Sequence, residues 1–115
     1  MASNFYVKTS RSIGTGLTKV GGYTVGDGVQ TTAIGLSVAN TLSDALSAQS
    51  VYINACINDG TNDTYIVKNV LLPAGSSIIL IGGDQKMVLQ AGYSIKVQSD
   101  TSGSVDAIMS VLEIS

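Results

Sequence analysis

Histidine, the commonest general base and imidazole metal ligand in proteins, is absent from this sequence of 115 residues. Without it, no Ser-His-Asp or Cys-His arrangement can form within the chain. The one cysteine, Cys56, has no partner in the chain for a disulfide and cannot by itself build a thiolate zinc site. Its strand phase lies opposite to that of Val51, Ile53 and Ala55, which predicts a small, half-buried hydrophobic side chain rather than a nucleophile.

Carboxylates are the remaining side chains that could act as acids, bases or ligands. A glycosidase needs two of them across a sugar, but most fall in predicted turns, where Asp hydrogen-bonds its own backbone. The oxygen-rich segment 58–63 could hold calcium, yet its spacing does not match an EF-hand loop and instead predicts a polar hairpin tip. The carboxylates are Asp27, Asp44, Asp59, Asp63, Asp84, Asp100, Asp106 and Glu113.

Two glycine groups are similar to phosphate-binding loops. Gly14-Thr15-Gly16 and Gly26-Asp27-Gly28 have the small residues, but neither continues to Gly-Lys-Ser/Thr nor opens a plausible helix. The sequence therefore predicts no catalytic, cofactor-binding or metal-binding residue, and a protein that is not an enzyme.

Charge is scarce, since only 12% of the residues are charged and the formal net charge is −2. The six basic residues are scattered, which argues against nucleic acid as a partner because phosphates require a basic patch. Weak self-repulsion favours association into a homo-oligomer. The N-terminus does not match a signal peptide, and no apolar run approaches the ~20 residues of a membrane span. We therefore expect synthesis in a reducing cytoplasm and no membrane partner.

The elements that carry these residues are predicted to be strands and turns. Ile34, Leu36 and Val38 alternate with small residues, and the segment from Val51 to Ile57 alternates in the same way. Turn signals at 58–63, 73–76, 82–85 and 90–93 separate further strands, and residues 41–48 form either a helical turn or a loop. The strands after the first turn are predicted at 64–71, 77–81, 86–89, 94–98 and 105–114. Seven or so short strands predict an all-β fold, an antiparallel β-sandwich or jelly roll, with helix below about a tenth of the chain.

Residues 1–30 differ from the rest, because they hold six of the thirteen glycines. Such a density excludes a helix and weakens a strand interior, so this segment is predicted to be an extended glycine-rich N-terminal arm before a β-sandwich domain at 31–115. Apolar side chains in the arm predict that it lies on a neighbouring molecule. The predicted assembly interface consists of Phe5, Tyr6, Val7, Ile13, Leu17, Tyr23 and Val25.

Several short segments within residues 31–115 form a pattern through their order and spacing. These are Ile34-Gly35-Leu36-Ser37-Val38-Ala39-Asn40-Thr41, Tyr65-Ile66-Val67-Lys68-Asn69-Val70, Pro73-Ala74-Gly75-Ser76-Ser77, Gly82-Gly83-Asp84-Gln85-Lys86-Met87-Val88-Leu89, Gly92-Tyr93-Ser94-Ile95-Lys96-Val97 and Ser110-Val111-Leu112-Glu113-Ile114. In this pattern the chain resembles small virion structural proteins of tailed bacteriophages, notably phages of cyanobacteria and marine bacteria.

The resemblance implies a β-sandwich subunit on the phage particle. The most specific role that the resemblance implies is that of a capsid decoration (cement) protein, which forms homotrimers and bridges neighbouring subunits of the major capsid protein. A neck, tail or fibre-associated subunit is the alternative, and such a subunit could bind a glycan or protein of the host surface. For the glycan alternative, the candidate aromatic residues are Tyr52, Tyr65 and Tyr93.

Overall fold

The structure is a computed structural model that describes residues 3–42 and 49–115. Nine strands and one short 3-10 turn, Val20–Gly22, lie within these residues. The strands are β1 Ser3–Ile13, β2 Thr18–Lys19, β3 Gln30–Asn40, β4 Val51–Asn58, β5 Asp63–Leu72, β6 Ser77–Ile81, β7 Met87–Leu89, β8 Ser94–Ser99 and β9 Val105–Ile114.

The strands form two antiparallel sheets that face each other as a sandwich. Sheet A has the order β1-β9-β3-β6, with β7 also paired to β3, and sheet B has the order β2-β8-β4-β5. Successive strands alternate between the sheets at the start and the end of the chain. The first and last strands, β1 and β9, are neighbours in sheet A. If the short β7 is set aside, this is the eight-stranded jelly roll with two Greek keys. The predicted all-β sandwich is therefore confirmed, in its jelly-roll form.

The core lies between the sheets and consists of the inward residues of each alternating strand. In β9, Val105, Ala107, Met109 and Val111 are fully buried, as their period of two predicts. The strands predicted at 77–81 and 105–114 have those bounds in the structure, and those predicted at 64–71, 86–89 and 94–98 agree with the observed strands within one residue at each end. β3 is longer than its alternating segment and begins four residues before Ile34.

A β-bulge changes the predicted phase in β3. In β3 the pairing with β9 shifts between Ala33 and Gly35, so Ala33 is buried with Leu36 while Ile34 is half-buried. The expected inward row of Ile34, Leu36 and Val38 is therefore wrong at its first member, because a bulge inserts one residue and reverses the alternation before it. In β4 the pairing with β5 also shifts at Ala55, but the ladder with β8 is regular and keeps Cys56, opposite Lys96, in the predicted phase. Cys56 is nevertheless fully buried instead of half-buried.

The predicted turns carry the hydrogen bonds that their residues favour. The Asp59 carboxylate accepts from the Thr61 and Asn62 backbone N–H groups at 2.9 and 2.7 Å, which confirms the polar hairpin tip. Within 73–76, the Ser76 N–H donates to Pro73 O at 3.1 Å. Of the segment predicted as helical turn or loop, residues 43–48 lie outside the described part of the chain.

The predicted arm contributes strands to both sheets. β1 pairs with β9 from Ser3 to Ile13, and β2 pairs with β8. Ile13, Val20 and Val25 are 2%, 0% and 2% exposed, so the second half of this segment lies in the core. The physical reason is topological, because a jelly roll places its first long strand beside its last one, and glycines are tolerated in the turns between them. That residues 1–30 form a separate arm that binds a neighbouring molecule stays a prediction.

Candidate assembly surface

Sheet A carries a continuous apolar surface on the side that faces away from the core. Residues directly opposite each other in a ladder share a face, and the register places Phe5 opposite Leu112, and Ser37 opposite both Ile108 and Ile79. Val88 lies opposite Thr32 on the same side. We call this surface the apolar face; its large side chains are Phe5, Val7, Ile79, Val88, Ile108, Leu112 and Ile114.

The exposure of these side chains is unusual for a free surface. Phe5 and Ile79 are each 73% exposed, Val88 is 67% and Ile108 is 51%. Single exposed apolar residues are common, but a contiguous group on one rigid sheet marks an interaction site. The four strands and the rows from Phe5 to Ile108 span roughly 15 by 15 Å. The patch is therefore a few hundred Å² in projection, which is the size at which apolar surface is often functional.

A groove of about 220 Å³ runs across this face. Gly35 and Ser37 of β3 form its floor, while Ile108 of β9 and Ile79 of β6 form its walls. The groove exists because β3 has small residues at its outward positions, so the side chains of the neighbouring strands stand above it. A cavity of this size would accept one large apolar side chain of another molecule.

The outer face of sheet B has a different character. Asn54 donates to Gln98 Oε1 at 3.1 Å, and the Gln98 amide donates to Thr15 O at 2.8 Å, so amide side chains tie β4, β8 and the loop before β2. The Lys68 ammonium lies 4.2 Å from the centre of the Tyr65 ring. Tyr52 and Leu71, which lie opposite each other, are also exposed on this face, at 49% and 50%. The outer face of sheet B is therefore mixed in character, and the larger apolar surface is on sheet A.

The structure divides the seven residues of the predicted assembly interface. Phe5, Tyr6 and Val7 are exposed on β1, at 73%, 44% and 63%, and Leu17 is half-buried. The other three members are in the monomer's own core, with Ile13 and Val25 at 2% and Tyr23 at 9% exposure. Ile13, Tyr23 and Val25 therefore present no surface to a neighbour in the monomer, and the assembly interface stays a prediction.

Tyr23 connects the N-terminal segment to sheet A. Its hydroxyl donates to Glu113 of β9 and shares a hydrogen bond of 2.8 Å with the hydroxyl of Thr31 on β3. Burial, with the Glu113 carboxylate as the next cause, raises the pKa of Tyr23 to about 12. The Lys8 ammonium lies 4.8 Å from the centre of the Tyr23 ring and 5.1 Å from that of Tyr6, within the range of a cation–π contact.

The reactive side chains of the described residues are held in structural roles. Burial raises the pKa of the Cys56 thiol to about 11, and the Asp63 carboxylate adds to the effect, so the thiolate is strongly disfavoured. Backbone N–H groups of Asn62 and Thr61 lower the pKa of Asp59 within its turn. Among residues 3–42 and 49–115, no three His, Cys, Asp or Glu side chains are grouped to hold a metal ion.

Within residues 3–42 and 49–115, no helix is long and apolar enough to span a membrane.

Comparison with known proteins gives likeness in structure but none in sequence. No family model matches the chain. No curated protein matches it either. A chain from the acid-stable capsid of Helicobacter pylori bacteriophage KHP30 superposes with a TM-score of 0.56 at 9% identity, covering 100% of this chain and 94% of that one.

Two further structures share the fold. A chain of the disulfide-linked pili of Bacillus endospore appendages gives a TM-score of 0.53 at 8% identity, covering 99% of this chain and 87% of that one. Infectious bursal disease virus, strain Gt, gives 0.51 at 11% identity, covering 96% of this chain but only 32% of the viral chain. At these identities the likeness concerns the fold alone, a β fold of the kind found in capsid proteins.

Sequence reasoning missed the members of the apolar face outside β1. From the sequence, Ile79, Val88 and Ile108 are indistinguishable from ordinary strand residues, because an apolar residue in a strand does not reveal which face of the sheet it occupies. A signal was available in β9, where Ile108, Leu112 and Ile114 occupy the phase opposite to the buried row. Apolar residues in both phases of one strand are typical of a strand covered on both faces.

Proposed function

We propose that this protein is a structural subunit of a virus particle, a capsid decoration protein of a tailed bacteriophage. It bridges neighbouring capsid subunits by burying the apolar face of sheet A against them. Its action is adhesive and not enzymatic, and its partners are the major capsid protein or other virion proteins.

The apolar face is the observation that carries the proposal. Burying an Ile side chain as exposed as Ile79 contributes on the order of 1–2 kcal/mol. A single copy therefore adheres weakly, but many copies on a symmetric shell each add a contact at every capsomer boundary, and the effect multiplies across the shell. The low charge of the chain favours such association because little repulsion opposes it.

The likeness to the phage KHP30 capsid chain supports the same reading. The two chains superpose over nearly their whole lengths, so the comparison is with a complete small subunit and not with one domain of a larger shell protein. The resemblance of residues 31–115 to virion proteins of tailed phages points in the same direction. The homotrimer and the cyanophage type, both implied by that resemblance, stay predictions.

The glycan-binding alternative has less support in the arrangement of the tyrosines. Tyr52 and Tyr65 are exposed at 49% and 39% on the outer face of sheet B, whereas Tyr93 is half-buried. Tyr65 pairs opposite Cys56, four residues along β4 from Tyr52, which places the two rings roughly 13 Å apart along the strand. That distance is too large for both rings to stack on one sugar.

Copy number in purified particles tests the position on the particle. Quantitative mass spectrometry, referenced to the major capsid protein, is expected to give hundreds of copies, since decoration follows the symmetry of the shell. A count of about six or twelve would instead place the protein at the neck or tail.

Binding to particles that lack the protein tests the surface. Ile79→Ser and Ile108→Ser each remove an apolar wall of the groove, and we expect each to weaken binding by about tenfold. Tyr52→Ser is the matched control, because Tyr52 is as exposed as Ile108 but lies on the outer face of sheet B. Equal binding of all three variants would contradict the assignment of the apolar face.

A further inference from the structure

The free edge of β1 lacks the protection that the other sheet edges have within the described residues. β2, β6 and β7 are short, with two, five and three residues. β5 is longer, but its ladder with β4 contains two register shifts, and Asn69 within it has a φ of 56°. Short strands and bulges are the devices by which proteins prevent edge-to-edge pairing.

β1 has neither device over most of its length. It pairs with β9 without a register shift from Ser3 to Ser10. Beyond that point its edge is covered, since the Ser10 hydroxyl donates to Lys19 O at 3.2 Å and accepts from the Gly21 N–H at 2.8 Å. Gly21 also packs against Lys8 and Thr9, where an added Cβ would come within 2.7 Å of Lys8 Cβ. We therefore call Ser3–Val7 the open edge. In an antiparallel ladder alternate residues direct their N–H and C=O groups away from the paired strand, so about two or three residues here offer both groups to a neighbour.

We propose that two copies of this chain pair through the open edge, antiparallel and across a twofold axis, so that their sheets A join into one. The unpaired main-chain groups call for an extended strand as the occupant. The β1 strand of a second copy is the best occupant, because it has the same length and regularity. An antiparallel contact across a twofold axis also pairs the main-chain N–H and C=O groups of both copies at once.

The sequence of β1 is compatible with pairing to itself. In the register centred on Tyr6, Phe5 of each copy lies opposite Val7 of the other, and Lys8 lies opposite Asn4. No like charges face each other, and the Lys8 ammonium is held over the rings of Tyr6 and Tyr23 in its own molecule. Phe5 and Val7 belong to the apolar face, so pairing makes the apolar faces of the two copies continuous.

This inference does not depend on the virus particle, and the isolated chain tests it. Analytical ultracentrifugation should give a species of twice 11.8 kDa. Val7→Lys should weaken the dimer by about tenfold, because the dimer contains two Phe5–Val7 cross-strand pairs and the substitution removes the apolar partner from both. Ile79→Lys is the matched control, since Ile79 is as exposed on the same face but lies on the opposite edge, and it should leave the dimer unchanged.

Cysteine cross-linking tests the register. Opposed residues in a ladder have Cβ atoms about 5 Å apart, so Tyr6→Cys in a Cys56→Ala background should form a covalent dimer on oxidation, while Val88→Cys should not. A monomer or a trimer in the ultracentrifuge would overturn the proposal. Equal loss of the dimer in Val7→Lys and Ile79→Lys would also overturn it, because it would indicate packing of face on face.

Discussion

Replacing Tyr23 by Phe tests whether the N-terminal segment is fastened to sheet A by its buried hydroxyl. The substitution keeps the ring but leaves Thr31 Oγ1 and Glu113 Oε2 without the phenol. A buried polar group that loses its partner costs about 1–3 kcal/mol. We therefore expect urea unfolding at pH 7 to show Tyr23→Phe destabilised by that amount.

The stabilisation contributed by Tyr23 should also depend on pH, in a direction that its pKa determines. The pKa of Tyr23 is raised in the folded protein from 10.0 to about 12, so the folded state favours the neutral phenol. Its contribution is complete below pH 10 and is lost as the pH rises through 12, because the unfolded chain then releases the proton more readily. The full loss is about 2–3 kcal/mol, of which about half is reached by pH 11.

Tyr23→Phe has no phenol at this site, so its free energy of unfolding should not fall for this reason at high pH. The difference in free energy of unfolding between wild type and Tyr23→Phe should therefore become smaller between pH 8 and pH 11. Thr31→Val serves as the control, because it removes one hydrogen bond but keeps the phenol and should retain the loss at high pH. A gap between wild type and Tyr23→Phe that is the same at both pH values would refute the reasoning.

Three further predictions concern the core. Deleting residues 1–9 should leave a domain that is still folded by circular dichroism. Deleting residues 1–30 should abolish cooperative unfolding, because it removes four core side chains. A folded product of the longer deletion would contradict the placement of these side chains in the core. Cys56 should react with a thiol reagent at pH 8 only when the protein is unfolded, and rapid reaction of the native protein would contradict its burial. Met109→Ala should cost about 2–5 kcal/mol in urea unfolding, while Ile108→Ala, on the outer face, should cost less than 1.

Local signals in the sequence were sufficient for the strands and most turns. The Asp59 turn and the alternation of Val105 to Val111 are decided by neighbours in the chain, so their pattern predicts them directly. The bulges at Ala33 and Ala55 were not predictable, because they depend on the partner strand. A bulge is a property of the ladder and not of one strand, and it reversed the phase expected for Ile34.

The core contacts of the N-terminal segment could not be predicted for a related reason. Its glycines suggested an arm outside the domain, but several of them occupy turns with positive φ, such as Gly21 and Gly28, where glycine costs little. Between those turns the chain places Ile13, Val20 and Val25 in the core. Pairing of the first strand with the last is a contact across nearly the whole chain, and no pattern within residues 1–30 contains that information.

The apolar face shows how a period of two can carry an assembly signal. β9 places Val105, Ala107, Met109 and Val111 toward sheet B, and it places Ile108, Leu112 and Ile114 away from it. A strand of a two-layer sandwich needs only one apolar row, because the other faces water. A second apolar row therefore lowers solubility without stabilising the monomer, unless another molecule covers it. The central strand of sheet A thus already contains, in its sequence, the pattern of a strand that is buried on both sides.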